Sequence, residues 1–194
     1  MKSLSWRLFV LILLYPFLPG CALLLATGVV SGVGAGVAVS QDRRTGGSFV
    51  EDEGIEMRGG QRISEKFGGN VHVSVTSFNR NVLLTGEVPS ENIKKEIGGL
   101  VMGVENVRNI TNEIAVAGIS PFMSRSNDAL ITSKVKGRFM DAGKFQINHV
   151  KVVTENSVVY LLGLVKRDEA QSAVEIASST SGVKKVVKVF EYQG

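Results

Sequence analysis

The chain has 194 residues, 44% of them hydrophobic and 21% charged, a globular composition that excludes a disordered protein. Its 22 basic and 18 acidic residues leave a formal charge of +4, too thin and too evenly spread for a nucleic-acid neutraliser. One cysteine and two histidines exclude a disulfide framework, a thiolate zinc site and most histidine-based metal centres.

Residues 1–20 read as a removable export signal. Lys2 and Arg7 precede an apolar run from Leu8 to Leu18. That run is short of the ~20 residues a membrane span needs, and Pro16 and Pro19 would break a spanning helix near its end. Leu18-Pro19-Gly20-Cys21 resembles the lipobox of bacterial lipoproteins. The resemblance implies that Cys21 is acylated, the leader removed and the new terminal amine acylated. It also implies that Ala22, standing where Asp would retain the protein, sends it to the outer membrane with its body in the periplasm. Loss of Lys2 and Arg7 lowers the net charge to +2.

Residues 21–47 are expected to form the lipidated cysteine and a glycine-rich tether. Gly32, Gly34 and Gly36 lack the spacing of a dinucleotide fingerprint and the lysine of a phosphate-binding loop. Gly28, Gly32 and Gly36 would line one helix face that allows close approach to a partner helix in lipid; a flexible tether is the alternative. Gln41 to Gly47 ends the stretch as a polar linker.

Beyond it the same pattern occurs twice, predicting one domain over 48–117, a linker over 118–125 and a second domain over 126–194. A shift of 77 aligns Val73 with Val150, Leu84 with Leu161, Gly86 with Gly163 and Val88 with Val165; a shift of 76 pairs Asp52 with Asp128. Each copy opens with a helix. In the second, Ile131, Val135 and Phe139 form the core stripe, with Asp128 suited to the amino-terminal end. In the first, Gly59-Gly60 fall in the helix interior and predict a short or irregular element. Two strands follow, joined by turns near Asn79 and Asn156. Second helices are expected from Pro89 to Met102 and from Asp168 to Thr180, stopped by left-handed caps at Gly103 and Gly182. Closing strands run from Val107 to Val116 and from Val186 to Tyr192.

This αββαβ order, with V-x-L-x-G in the second strand and Gly-Val after the second helix, is similar to the BON domain. The match is fullest in copy two, at Ser126-Asn127-Asp128, Val152-Val153-Thr154-Glu155-Asn156 and Ser181-Gly182-Val183. Two such copies behind a lipobox resemble the dual-BON-domain lipoproteins of Gram-negative envelopes. The resemblance implies an α+β fold of two tandem BON domains, each a three-stranded mixed sheet packed by two helices.

Little in the chain points to catalysis. His72 and His149 are equivalent under the repeat, and strand alternation turns each away from the inward valines, which reads as two surface residues. Asp168 and Glu169 open a helix, where carboxylates favour its dipole. No nucleophile elbow surrounds a serine. The reading is a non-enzyme with no metal and no cofactor.

Charge distinguishes the copies. Residues 51–117 hold seven basic and ten acidic residues, residues 121–194 eleven and seven. The first helix of copy two carries Lys134, Lys136 and Arg138, and Leu130 lies roughly 140° from the core stripe, one turn before Lys134. Phe122 and Met123 add apolar residues in an expected loop. A basic, amphipathic surface suits an anionic membrane interface. A solvated charged helix with Leu130 packed on the first domain is the alternative. The resemblance implies binding of anionic phospholipids, such as phosphatidylglycerol, through Leu130, Ser133, Lys134 and Gly137, and a role in outer-membrane integrity. Phe122 and Met123 are added from their composition. The rival reading is a protein-interaction module that docks on envelope assembly or peptidoglycan-remodelling machinery.

Overall fold

A computed structural model describes residues 42–119 and 122–193. The leader, Cys21 and the tether up to Gln41 lie outside the described residues, as do the side chains of Phe122 and Met123. Copy one is built from α1 (Gly46–Phe67), β1 (His72–Phe78), β2 (Asn81–Val88), α2 (Glu91–Met102), β3 (Asn109–Asn112) and β4 (Ala115–Val116). Copy two is built from α3 (Phe122–Ala142), β5 (Val150–Glu155), β6 (Val158–Val165), α4 (Arg167–Ser178) and β7 (Lys185–Tyr192). Each sheet is mixed: β1 pairs antiparallel with β2, which pairs parallel with β3 and β4, and β6 likewise pairs antiparallel with β5 and parallel with β7. The fold is α+β, as expected.

On one face of each sheet the two helices enclose a core. Ile55, Ile97 and Val101 meet Val82, Leu84 and Val88 in copy one; Ile131, Val135 and Phe139 meet Val152, Val159 and Leu161 in copy two. Helix α1 runs unbroken through Gly59-Gly60, contrary to the short element expected there. Burial explains it. A Cβ on Gly59 would lie 3.2 Å from Val75 Cγ1, so the glycine lets helix and sheet approach closely, and that packing offsets its poor helix propensity.

Other details depart from expectation. Gly103 caps α2 with φ −78°, outside the left-handed region, which Asn106 takes instead at φ 67°. Gly182 does have positive φ, 97°, but it lies three residues past Ser179, the C-cap of α4. Phe122 and Met123 open α3 rather than a loop. The closing strand of copy one is broken between β3 and β4, opposite Gly86, which has φ 115°. At the equivalent Gly163 the backbone avoids that region, and β7 is continuous. A Cβ at either glycine would overlap a facing carbonyl oxygen, that of His72 or His149, which accounts for the glycine in both V-x-L-x-G segments.

Because α3 starts at Phe122, Asp128 lies in the helix interior rather than at its end. Its carboxylate has another use. It accepts the amides of Asn156 and Ser157, both at 2.8 Å, in a turn where those residues have φ 51° and 64°. Asp52 does the same in copy one, accepting the amides of Asn79 at 2.8 Å and Arg80 at 2.7 Å and the Ser77 hydroxyl at 2.6 Å. Each domain thus pins its tight hairpin turn with one buried acid from its first helix.

The faces turned away from the helices are covered over much of their area. Phe78 and Leu83 of copy one pack with Tyr160 and Leu162 of copy two, placing the sheets against each other within one compact unit. Polar contacts reach across at the margin. Lys151 Nζ lies 2.6 Å from Glu56 Oε1, and the turn asparagine of each domain meets a carboxylate of the other, Asn79 to Glu191 at 2.8 Å and Asn156 to Glu87 at 3.0 Å.

Candidate functional site

Three places outside the two cores bring chemistry-bearing side chains together. The first is the solvent side of α3. Ile131, Val135 and Phe139 are each at most 1% exposed, which fixes the rotation of the helix. Leu130 is then left 61% exposed, and Ser133 and Lys134 are exposed beside it. Gly137 continues the same face, with no atom within 4 Å of where a Cβ would stand. Leu130 does not pack into either domain. The Ser133 hydroxyl donates to Ala129 O at 3.0 Å within the helix. Arg138 is committed elsewhere: it donates to Ile176 O at 2.9 Å and Thr180 Oγ1 at 2.8 Å, joining α3 to the end of α4. Lys134 is therefore the basic group on the Leu130 face. Asp141, also exposed, follows near the end. Met140, 68% exposed, extends the apolar surface at the flank of this face. The sequence reading passed over it, although its place three residues after Gly137 and ten after Leu130 was the available signal.

The second place is the junction with the tether. Arg43 binds Glu169 through two bonds, of 2.6 and 2.7 Å, and donates to Leu164 O at 3.0 Å. Arg44 binds Asp42 at 2.7 Å and Asp52 at 2.9 Å, with its guanidinium 4.2 Å from the centre of the Phe78 ring. Glu169 also accepts the amide of Lys166 at 2.8 Å, so it caps α4 as its position in the first turn implied. Burial works to raise the Glu169 carboxyl, yet the bonds from Arg43 and the Lys166 amide outweigh it and hold its pKa below the usual value. Asp42 is lowered in the same way, against burial, by Arg44. His149 is not on the surface. It is only 8% exposed, at the end of the short turn Ile147–His149, with Nδ1 3.8 Å from Glu169 Oε1.

The third place lies between the sheets. Alternation does turn His72 away from Val73 and Val75, but on that face it lies beside Glu155 of the second domain and is only partly exposed. There His72, Glu87 and Glu155 bring one potential ligand atom each within 4.8 Å of one another. Among the described residues this is the one such group of three. Glu87 is 1% exposed. Glu155 is pushed up to about 7 by burial first, then by Glu87 and Asp128, with Arg125 opposing.

The BON family model matches residues 54–118 and again 127–194. The chain belongs to the BON-domain family, with two copies of the domain. It is 36% identical, over 91% of its own length and 90% of the relative's, to the outer membrane lipoprotein DolP of Haemophilus influenzae, which makes it a dual-BON protein of the DolP type. It is 32% identical to the 21 kDa hemolysin of Actinobacillus pleuropneumoniae, covering 78% of this chain and 79% of that protein. It is 29% identical to the osmotically-inducible protein Y of Escherichia coli K12, covering 78% of each. Among the described residues no helix is long and apolar enough to cross a membrane.

Proposed function

We propose that this chain is a non-catalytic outer-membrane lipoprotein with a leader over 1–20, acylated Cys21, a tether to residue 47 and both BON domains in the periplasm. In this reading the Leu130 face of α3 binds anionic phospholipid and the protein maintains outer-membrane integrity. The name of the Haemophilus relative supports the lipid anchoring and the outer membrane. The observation that carries the lipid contact is the pairing of an exposed Leu130 with an exposed Lys134 on a helix whose opposite face is fully committed to the core. An apolar side chain that enters the headgroup region and a lysine that meets anionic headgroups each favour the bound state, and acyl chains on Cys21 keep the face near its target. Phe122 and Met123, at the start of the same helix, are assigned to this contact by sequence alone.

Co-sedimentation of the two-domain body with vesicles is the test. Binding to phosphatidylglycerol-containing vesicles and not to neutral ones is expected. If wild-type protein ignores both, docking on envelope assembly or peptidoglycan-remodelling machinery becomes the leading reading.

A further inference from the structure

We propose that His72, Glu87 and Glu155 form a site for a divalent first-row metal cation, zinc being the best match, that bridges the two BON domains. The inference is independent of the lipid-binding reading. His72 on β1 is the cross-strand partner of Glu87 on β2, so their side chains leave the same face of the first sheet. That face is turned from the helices, because Val73 and Val88, of opposite parity, take the core side. Glu155 closes β5 on the facing side of the second sheet, since Val150 and Val152 occupy the helix side. Three strands of two domains therefore deliver one imidazole nitrogen and two carboxylate oxygens to one spot, all within 4.8 Å of each other.

A zinc ion holds such donors at ~2.0–2.2 Å in tetrahedral array, which places them about 3.4 Å apart. Small rotations of the three side chains close the remaining distance. The donor chemistry is selective. Imidazole with carboxylate suits zinc and its first-row neighbours, whereas magnesium and calcium favour oxygen-only sets. Three protein ligands leave a fourth position for water.

Charge at the cluster favours a cation as well. Glu87 is 1% exposed, Glu155 is partly buried, and Asp128 adds a third carboxylate to the field at Glu155, where Arg125 is the opposing charge. Carboxylates crowded in a shielded interface repel each other, and a divalent ion between them converts that repulsion into cross-linking of the domains. The surroundings also orient a ligand. Asn156 Nδ2 donates to Glu87 Oε1 at 3.0 Å, and the Asn156 amide is held by Asp128 at 2.8 Å. Outer contacts of this kind fix ligand geometry in metal sites.

The test uses the full chain carrying Cys21→Ser, so that no thiol competes, purified in detergent, stripped with chelator and titrated calorimetrically with zinc chloride or magnesium chloride. One equivalent of zinc should bind and magnesium should not. At saturation zinc should raise the melting midpoint by about 4 °C or more. His72→Asn and Glu155→Gln, each at a position not fully buried, should keep a cooperative metal-free melt, weaken zinc binding by about tenfold or more, and abolish the midpoint shift. Absence of zinc binding by the parent chain, or parent-like binding by either variant, overturns the site.

Discussion

Replacing Leu130 by Glu and Lys134 by Glu on α3 tests the proposed membrane face while leaving the core stripe, which begins one residue away at Ile131, untouched. Complete withdrawal of a leucine side chain from water contributes about 1.5–3 kcal/mol. Leu130 is 61% exposed, so a membrane can still withdraw about 1–2 kcal/mol of that, which Leu130→Glu forfeits. Lys134→Glu removes a headgroup attraction of about 1 kcal/mol and adds a repulsion of similar size. The double variant should therefore lose about 3–4 kcal/mol, a few hundredfold in vesicle partitioning, with Leu130→Glu alone losing about tenfold and Lys134→Glu alone about thirtyfold. Stability should change little, since both positions are exposed. Ile131→Glu, one residue along and 1% exposed, should instead unfold the second domain by burying an unpaired carboxylate. Residues 42–194 would be sedimented with phosphatidylglycerol-containing vesicles, and each variant checked by thermal melting followed by circular dichroism. Wild-type binding should also fall as salt rises. Folded variants that bind anionic vesicles as the parent does would refute the assignment of this face.

Asp128→Ala should cost about 2–4 kcal/mol, because two amides of the Asn156-Ser157 turn lose their acceptor; a urea midpoint equal to wild type would show that the turn does not depend on it. In metal-free protein, the raised Glu155 carboxyl means that the folded state binds more protons than the unfolded one between about pH 4.5 and 7. Its contribution is thus full below pH 4.5 and is lost as pH rises through 7, by about 1–2 kcal/mol after discounting for solvent screening. Glu155→Gln should flatten that part of the stability profile, and an unchanged slope would contradict the assignment. Cys21→Ala should abolish incorporation of an alkyne fatty acid and leave an unprocessed or mislocalised protein, so equal labelling of variant and wild type would defeat the lipoprotein reading.

Periodicity and the internal repeat were enough to establish two αββαβ domains, their hairpin turns, the Ile131, Val135 and Phe139 stripe and the displacement of Leu130 from it. These are local properties: 3.6-residue and 2-residue spacing determine which side chains share a face before any partner is known. The same spacing says nothing of what a second face meets. His72 alternates away from the core valines as expected, yet it meets a strand of the second sheet and is only partly open to water. The signal was faint but present, since Val82-Leu83-Leu84 and Val158 to Leu162 are unbroken apolar runs of the kind found in strands buried on both sides. Asp128 was legible as a helix residue, but its bonds to a turn 28 residues away depend on how α3 lies across the hairpin. Gly59 reads as a helix breaker until Val75 is placed against it. Only the packed structure brought Glu155 to His72 and Glu87, or Arg43 to Glu169, because those pairs are distant in the chain. The first of these follows from the sheets meeting face to face and the second from where the segment before α1 lies against the start of α4, long-range arrangements that no local pattern encodes.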